Sequence, residues 1–457
     1  VSRSLEDRKF RRFLFGRRKE KMKKTHTAFT EFMQYTALNV LGMIGLSCYI
    51  LADTFFVSKG LGADGLAALN LAIPVYSFIH GTGLMLGIGG ATKYSILKGQ
   101  KMSCDTNTVF TNTVYTGILA AFIFMAAGFF LSGDITSLLG ADRVVFSMTK
   151  TYLRVIMLFA PAFILNDICI CFVRNDGNPR LSMFAMLTGS LSNIILDYLF
   201  IFPLDMGIFG AVLATGMAPV ISMLILSMHW LKGKNRFHLQ KTGMSAEMIF
   251  SILPLGFPSL ITELASGIVM IAFNRIILRL QGNTGVAAYG VVANLSLVVL
   301  SIYTGIAQGM QPLVSRFYGK GDTEERNRVL KYALLTMMLL SFGIYLGIFR
   351  FAGPIAGVFN SDKNRQLEAI AVEGLRLYFT AAPFAGFNIV ISMYFTSVEK
   401  AFPAQIISLL RGFLLILPLA FGLAYLAGIT GVWLAFPVTE GLTAMGGVLL
   451  FRRGRSQ

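Results

Sequence analysis

Apolar runs long enough to cross a lipid bilayer recur along this chain, and they constrain its fold more than any other feature. A membrane-spanning helix needs about 20 consecutive, mostly apolar residues. Of the 457 residues, 55% are hydrophobic and 14% are charged, and the mean hydropathy is +0.66. A soluble chain of this length carries about 25% charged residues. The sequence therefore predicts an all-α polytopic membrane protein.

Polar breaks divide the apolar sequence into twelve candidate spans, in two sets of six. The longest of the loops expected inside the cell, LKGKNRFHLQKTGMSAE, separates the two sets. The expected spans are 29–57, 66–92, 108–131, 150–173, 181–203, 207–231, 247–273, 285–315, 330–351, 370–395, 403–426 and 429–451. The expected regions are a basic N-terminal segment (1–28), an N-lobe (29–231), an inter-lobe loop (232–246), a C-lobe (247–451) and a tail (452–457).

The positively charged residues predict the orientation of these spans. With the N-terminus inside the cell, the inside segments hold 29 of the 40 Lys and Arg residues, and the outside loops hold 9. Short loops rich in Lys and Arg stay on the cytoplasmic side of a membrane. We therefore expect a multi-pass protein of the cell membrane (inner or plasma membrane) with both termini in the cytoplasm.

The N-terminal segment carries eleven Lys and Arg residues within its first 24 positions. This concentration accounts for much of the formal net charge of +17 and argues against a nucleic-acid-binding protein. The segment lacks the apolar core of a cleaved signal peptide. Its Phe and Leu residues are interleaved with arginines, so it is either an amphipathic segment on an anionic membrane surface or a basic tail that fixes topology.

The two sets of spans resemble each other at an offset near 220 residues. The segment from Gly65, GLAALNLAIPVYSFIHGTGLMLGIGGATKYSILKGQ, aligns without a gap with the segment from Gly285, GVAAYGVVANLSLVVLSIYTGIAQGMQPLVSRFYGK. GIFGAVLA from Gly207 likewise matches GITGVWLA from Gly428. Because each half has an even number of spans, both halves have the same orientation. Their pseudo-twofold axis then lies along the membrane normal, with a cavity between two six-helix lobes that suits alternating access.

Two aspartates in the first set of spans predict a cation site. A carboxylate at the bilayer centre costs at least ~2.5 kcal/mol. Asp53 lies on the first span, and Asp197 follows Asn193 by one helical turn on the fifth. At about 1.5 Å per residue, both aspartates lie roughly 8–9 Å from the outer end of their spans, close in depth to Thr215 on the sixth. This all-oxygen set suits Na⁺ or a shared proton. The alternative is that each acid only bonds to a neighbouring helix.

Three further polar residues within the spans leave alternatives open. Glu263 lies mid-span in the second half. It either attracts a cationic substrate, acts as a second coupling site, or is a protonated glutamate bonded to a facing helix. Asp167 is expected to snorkel or to pair locally beside Arg174. His80 is either a proton relay or a neutral, packed histidine.

At these positions the chain resembles the multidrug and toxic compound extrusion (MATE) family over nearly all of residues 29–451. The resemblance rests on the two six-span halves, on DTFFVSKGLGADGLAALNLAIPV after the first span, and on GIAQGMQPLVSRFYGKGD in the eighth. For the DinF-like branch it implies cation coordination by four residues, namely Asp53, Asn193, Asp197 and Thr215. The residues expected to contact substrate are Tyr49, Glu263 and Gln311.

The resemblance implies secondary active multidrug efflux, in which amphipathic organic cations are exported in exchange for H⁺ or Na⁺. The coupling ion is the only small ion implied, and no resident cofactor is expected. Small organic cations and membrane lipids are the expected partners of a monomeric protein. Other branches of the family place an acid on the seventh span where this chain has Ser266, and the tenth span has Asn388 but no acid. We therefore expect coupling to be centred in the N-lobe.

Two other functions remain as alternatives. A flippase for lipid-linked oligosaccharide precursors belongs to the same superfamily, but such proteins usually line their cavity with several arginines. Here only Arg154 and Arg411 lie within spans. A membrane-embedded enzyme is more remote, because the chain has no HExxH, GxSxG or phosphate-binding loop motif.

Overall fold

The computed structural model describes residues 2–360 and 364–453, with side chains described from residue 27 onward except at 103 and 104. The side chains of the basic N-terminal segment up to residue 26, and the last four residues of the tail, lie outside this description. The predicted role of that segment on a membrane surface therefore stays a prediction.

The described residues form helices joined by short turns. The first half contains α1 (Ser2–Gly99), α2 (Ser103–Phe130), α3 (Ser132–Leu138), α4 (Phe146–Leu158), α5 (Ala160–Asn175), α6 (Pro179–Ile201), α7 (Gly207–Leu226) and α8 (Met228–Leu231). The second half contains α9 (Ala246–Gly319), α10 (Thr323–Phe359), α11 (Arg365–Tyr378), α12 (Ala382–Ser397), α13 (Ala401–Leu409) and α14 (Ile416–Arg453). A 3₁₀ turn (Phe379–Ala381) precedes α12, and a π-helix (Leu410–Leu414) joins α13 to α14.

The helices account for the twelve predicted spans. Within the described residues, nine helical units are long and apolar enough to cross a membrane if the bent pair α4 and α5 counts as one. A straight helix of 74 residues would be about 110 Å long, several times the roughly 30 Å hydrocarbon core. Three units contain a non-helical glycine, at Gly62, Gly282 and Gly428, with φ between 58° and 69°. Because each of these three crosses the membrane twice, twelve spans result, and the predicted fold class is confirmed.

The internal repeat is visible in the backbone as well as in the sequence. The kinks at Gly62 and Gly282 are 220 residues apart and have nearly identical φ and ψ angles. Residues with positive φ also recur between the halves: Lys101 corresponds to Gly321 at an offset of 220, and Gly207 to Gly428 at an offset of 221. Positive φ values are costly for residues other than glycine. Their recurrence at nearly the same spacing shows that the two halves have the same topology.

Each half buries its own apolar core. One cluster of buried residues extends from Val57 to Ile252, and the other extends mainly from Phe273 to Ala435. Many large apolar side chains on the outer faces are exposed, among them Phe122, Leu339 and Tyr425, as expected for surfaces in contact with lipid. The exact lobe bounds stay predictions, although the two cores agree with a division near the inter-lobe loop.

The inter-lobe loop is docked on the first half rather than extended between the halves. The backbone N–H groups of His238 and Ser245 donate to the side chains of Asn107 and Asn112 on α2, at 2.9 and 2.8 Å. Ser245 also caps α9, since its hydroxyl accepts from the N–H of Met248. This capping bond satisfies a backbone donor that the helix itself cannot satisfy, so α9 starts at a fixed point beside α2.

The two lobes meet along α1 and α9, where small residues permit close approach. A Cβ atom at Gly256 would lie 1.7 Å from the carbonyl oxygen of Met85, and one at Gly319 would lie 2.1 Å from that of Ile96. We call the end of the bundle that holds Gly99, Gly319 and Arg453 the terminal side. Most close backbone contacts between the lobes lie in the half of the membrane nearer this side.

Candidate functional site

The four residues predicted to bind a cation are buried within the first lobe, on three different helices. Asp53 lies on the first crossing of α1, Asn193 and Asp197 on α6, and Thr215 on α7. Their side chains are at most 7% exposed, and Asp197 and Asn193 are fully buried. Asp53 is close enough to Asp197 for the two carboxyl groups to affect each other electrostatically. The structure therefore brings the four residues together, while their role as ligands stays a prediction.

Asn193 links the two helices that carry Asp197 and Thr215. With its amide oriented to satisfy both neighbours, Nδ2 donates to Asp197 Oδ2 at 3.0 Å, and Oδ1 accepts from the backbone N–H of Thr215 at 3.2 Å. Asn193 and Asp197 are one helical turn apart on the buried face of α6. The amide thus fixes the position of the carboxylate and joins α6 to α7.

Several oxygens of this pocket have no hydrogen-bond donor. Asp53 Oδ1 and Asp197 Oδ1 are buried without a partner, and no Lys, Arg or His among the described residues forms an ion pair with either acid. Pro219 follows Thr215 by four residues in α7 and has no N–H, so the Thr215 carbonyl lacks its usual helical donor. An unpartnered buried carboxylate is costly. A small cation or a proton at this point would remove that cost.

Two tyrosines border the pocket, and the sequence analysis identified only one of them. Tyr49, one turn before Asp53, donates to or accepts from the hydroxyl of Tyr76 at 2.7 Å. Tyr152 on α4 is buried beside Thr215 and within electrostatic range of both aspartates. A tyrosine in an apolar run gives no distinctive signal, so this neighbour could be found only from the tertiary structure.

Asp167, which was expected to snorkel or to pair locally beside Arg174, has its contact on another helix. Its Oδ2 atom lies 2.9 Å from Nδ1 of His80 on the second crossing of α1. His80 therefore contacts a carboxylate directly, and its role as a proton relay or as a neutral, packed histidine stays a prediction. Glu263 lies beside it on α9, against Gly81, with its Cβ 3.1 Å from the position that a Cβ of Gly81 would take. Glu263 thus faces the first lobe.

Gln311 is not brought to either group of acids. It is 1% exposed, its Oε1 accepts from Asn175, and its Nε2 donates to Thr92 at 3.0 Å. A neighbouring bond joins the lobes in the same layer, since Arg174 Nη1 donates to Gln308 Oε1 at 2.7 Å. Gln311 therefore joins the lobes near the terminal side, and its contact with substrate stays a prediction.

The C-lobe contains a buried acid that the sequence analysis missed. Glu440 on α14 is 1% exposed, and its Oε1 accepts from Arg411 Nη2 at 2.7 Å and from Arg411 Nε at 3.1 Å. Asn388 donates to Glu440 Oε2 at 2.6 Å. The signal in the sequence was an intramembrane glutamate in the last span, in PVTEGL. This acid is fully partnered, unlike Asp53 and Asp197.

Outside the spans, Asp176 organises the terminal side of the first lobe. Its carboxylate accepts from Tyr94, Lys98, His229 and the backbone N–H of Arg236, at 2.6 to 3.0 Å. Burial alone would raise the pKa of Asp176. The hydrogen bond from His229 and the charge of Lys98 outweigh burial, however, and hold the pKa below its ordinary value. Asp176 therefore acts as a structural anion that docks the inter-lobe loop.

Comparison with known proteins gives matches over most of the chain. The MatE family model matches residues 40–199 and 258–421. Multidrug export protein MepA of Staphylococcus saprophyticus is 25% identical over 426 residues, which cover 93% of each chain. MepA of Staphylococcus aureus (strain MSSA476) is 25% identical over 426 residues, covering 92% of this chain and 93% of that protein.

Solved structures show the same fold. A MATE protein in complex with MaL6 matches with a TM-score of 0.88 and 23% identity, over 93% of this chain and 96% of that one. An outward-facing multidrug resistance MATE family transporter matches with a TM-score of 0.85 and 23% identity, over 93% and 95%. The two-lobe fold and the family resemblance are thus confirmed, whereas the DinF-like branch stays a prediction. Since the family model matches more than half of its residues, the chain belongs to the MatE family of membrane transporters.

Proposed function

We propose that this protein is a secondary active multidrug exporter, which exchanges amphipathic organic cations for H⁺ or Na⁺ by alternating access. The family consists of transporters and not enzymes, as the sequence analysis expected. The MepA proteins, which it resembles at 25% identity, are multidrug export proteins. That relationship supports drug export, and the N-lobe pocket supports coupling to a cation.

One observation carries the coupling mechanism: the two buried carboxylates of Asp53 and Asp197 have unpartnered oxygens and no basic partner among the described residues. Two neighbouring carboxylates cannot both remain ionised at low cost without a cation between them. The pocket would therefore be filled by Na⁺ or by a proton whenever substrate is absent. Coordination of Na⁺ would use Asp53, Asn193, Asp197 and Thr215, all of which supply oxygen atoms.

The contacts between the lobes support alternating access. If both termini are cytoplasmic, as the excess of basic residues on that side favours, the closed terminal side faces the cytoplasm. The described state would then be outward-facing. The small cation would shift the equilibrium between this state and one open to the cytoplasm only if it binds the two states with different affinities. The size of the shift would equal that difference in binding free energy.

The surroundings of the arginines argue against an oligosaccharide flippase. Arg154 lies 5.2 Å from the ring centroid of Phe129, and Arg411 is paired with Glu440. The paired Arg411 therefore supplies no free positive charge for a phosphate group. Arg174 is buried against Asn39 and Gln308 where the lobes meet near the terminal side, and the unpartnered oxygens of Asp53 and Asp197 favour binding of a cation rather than of a phosphate.

The test is efflux of a fluorescent organic cation from proteoliposomes, with a Na⁺ gradient and a pH gradient imposed separately. The proposal expects one of the two gradients to drive net efflux against the concentration gradient of the dye. The membrane potential alone contributes about 2.3 kcal/mol per charge at 100 mV, so it is clamped in both arms. Efflux that follows neither gradient would refute coupled antiport.

A further inference from the structure

An arginine lies over a phenylalanine ring at the same place in each lobe. In the first lobe, the guanidinium of Arg154 on α4 is 5.2 Å from the ring centroid of Phe129 on α2. In the second lobe, the guanidinium of Arg376 on α11 is 5.1 Å from the ring centroid of Phe349 on α10. The phenylalanines are 220 residues apart and the arginines 222, close to the offset of the internal repeat. The same contact is therefore built twice in the molecule.

Both contacts lie at the membrane boundary opposite the terminal side. The helix that carries each phenylalanine breaks two residues later, at Leu131 (φ −113°, ψ 5°) and at Phe351 (φ −108°, ψ 18°). These positions are also the expected ends of the third and ninth spans. A short helical segment follows each break, namely α3 in the first lobe and residues 352–359 in the second. The arginines are thus placed at the level of the phospholipid headgroups.

Basic side chains collect at this level without acidic partners. Lys150 lies one helical turn before Arg154, and Arg350 is next to Phe349. These two residues, Arg154 and Arg376 are all exposed, and none of the four takes part in an ion pair among the described residues. Membrane proteins concentrate Lys and Arg on one side, here the terminal side. Four such charges on the opposite side indicate an anionic ligand.

The ring contact leaves the hydrogen-bonding groups of each guanidinium available. Attraction between a guanidinium and an aromatic ring is electrostatic and uses none of its N–H donors. A guanidinium has five such donors in a planar fork, and neither Arg154 nor Arg376 donates to another described residue. This fork matches two oxygens of a phosphate group. The phenylalanine therefore holds the guanidinium in place, while its N–H groups remain free to bind phosphate.

An exposed apolar surface extends from each arginine toward the membrane centre. Phe122 lies seven residues before Phe129 on α2, and Phe342 has the same position relative to Phe349 on α10. These four side chains are 46–67% exposed. Residues 121–130 and 341–350 show the same order of buried and exposed positions. Each pair of phenylalanines offers a surface about 10 Å long, along which an acyl chain can lie.

We propose that each lobe binds one phospholipid at this place, with the headgroup phosphate on Arg154 or Arg376 and an acyl chain along the phenylalanines beneath it. Lys150 and Arg350 add to the attraction for the phosphate. The ligand is a whole phospholipid rather than a free phosphate ion, because the apolar half of each site faces the membrane interior. Each lobe therefore keeps its own headgroup contact when the lobes move. The sites do not depend on which ion drives export.

Snorkelling of long basic side chains accounts for only part of this arrangement. Lys and Arg near the end of a span commonly extend to the headgroup layer. Arg143, in the loop before α4, is exposed on the same side of the first lobe and has no ring contact among the described residues. Snorkelling requires neither a phenylalanine under the guanidinium nor an exposed apolar surface below it. Arg143 therefore serves as a control for general attraction between arginine and lipid.

The experiment counts the phospholipids retained by the purified, full-length protein, by native mass spectrometry after titration with dioleoylphosphatidylglycerol in detergent. We expect wild type to retain two molecules more tightly than any others. Arg154→Gln and Arg376→Gln should each raise the Kd of one molecule about tenfold, and the double variant should lose both. Arg143→Gln should retain both. Dioleoylglycerol, which has the same acyl chains and no phosphate, should bind wild type about tenfold more weakly.

Several results would overturn the inference. Equal lipid retention by wild type and the double variant would show that the arginines do not bind phospholipid. An equal loss in Arg143→Gln would reduce the effect to general charge attraction. Displacement of the lipid by inorganic phosphate would assign the sites to a free anion. Because both arginines are exposed, the Gln variants should unfold at the wild-type temperature in lipid-free detergent. Arg154→Lys and Arg376→Lys keep the charge and should recover part of the affinity, which tests the sites even if a Gln variant does not fold.

Discussion

The bond between Arg174 and Gln308 offers a direct way to shift the equilibrium between the two access states. Arg174 is 1% exposed and donates from Nη1 to Asn39 at 2.8 Å within its own lobe, and to Gln308 at 2.7 Å across the lobe contact. Only the second bond is lost when the lobes separate at the terminal side. Substituting Gln308→Leu removes that bond in the closed state, while each lobe keeps its own packing.

The expected size of the shift follows from the burial of the arginine. A hydrogen bond to a charged group contributes about 1.5–3 kcal/mol, which corresponds to roughly a 10- to 150-fold change in the equilibrium constant. Gln308→Leu should therefore shift the protein toward the state that is open on the terminal side. Gln308→Glu should act in the opposite direction, because a carboxylate would neutralise the buried guanidinium only while the lobes are closed.

The assay is double electron–electron resonance between spin labels at positions 101 and 320, which are exposed on different lobes near the terminal side. Attachment through bio-orthogonal groups keeps the native cysteines, one of which contacts Arg174. We expect a longer mean distance for Gln308→Leu and a narrower, short distance for Gln308→Glu. Identical distance distributions in the two variants, or a shift of both in the same direction, would refute the reasoning.

Three further predictions concern ion pairs and pH. Lys93 and Glu399 form a 2.6 Å ion pair between the lobes, with 25% and 29% of their side chains exposed. Lys93→Glu should therefore shift the access equilibrium about two- to fivefold. The double exchange Lys93→Glu with Glu399→Lys should restore transport rates, and failure to do so would contradict a pairing role. Arg411→Met leaves the buried Glu440 without its counter-ion and should lower the unfolding free energy by about 3–5 kcal/mol, measured by thermal unfolding in detergent. Adding Glu440→Leu to Arg411→Met should recover most of that loss. Because the pKa of Asp176 is lowered in the folded protein, its contribution to stability is complete above about pH 4 and is lost as the pH falls through the folded value. Between pH 7 and 3, unfolding temperatures of wild type should therefore fall more steeply than those of Asp176→Asn, and parallel curves would contradict this assignment.

The fold could be predicted well because the apolar spans and the internal repeat can both be recognised directly in the sequence. Twelve apolar segments of spanning length, with a repeat that aligns glycines such as Gly65 and Gly285, leave few alternatives to a two-lobe bundle. We did not predict that the helices on both sides of Gly62, Gly282 and Gly428 continue as kinked pairs. Nor did we predict that α4 and α5 bend by 47° around Phe159, although Pro161 in the first turn of α5 has no backbone N–H and favours a break there.

The candidate site could be predicted only for residues that lie on the same helix or at the same depth in the membrane. Asn193 and Asp197 are one turn apart, and the depth of Asp53 follows from its distance to the end of its span. The expectation that Asp167 would snorkel or pair locally did not identify its partner, and the nearby Arg174 points toward Asn39 and Gln308. The pairing of His80 with Asp167 depends on how α1 packs against α5, and no sequence pattern encodes that packing.

The most direct test of the account is the driving gradient at which net transport of an organic cation reverses in proteoliposomes. If a small cation bound by Asp53 and Asp197 is exchanged for the exported compound, then the wild-type flux must change sign as the Na⁺ or pH gradient is varied. Asp197→Asn should bind the compound and remain folded, yet its flux should follow only the gradient of the compound itself. A wild-type flux that ignores both ion gradients, or a variant that reverses at the same gradient as wild type, would contradict the account.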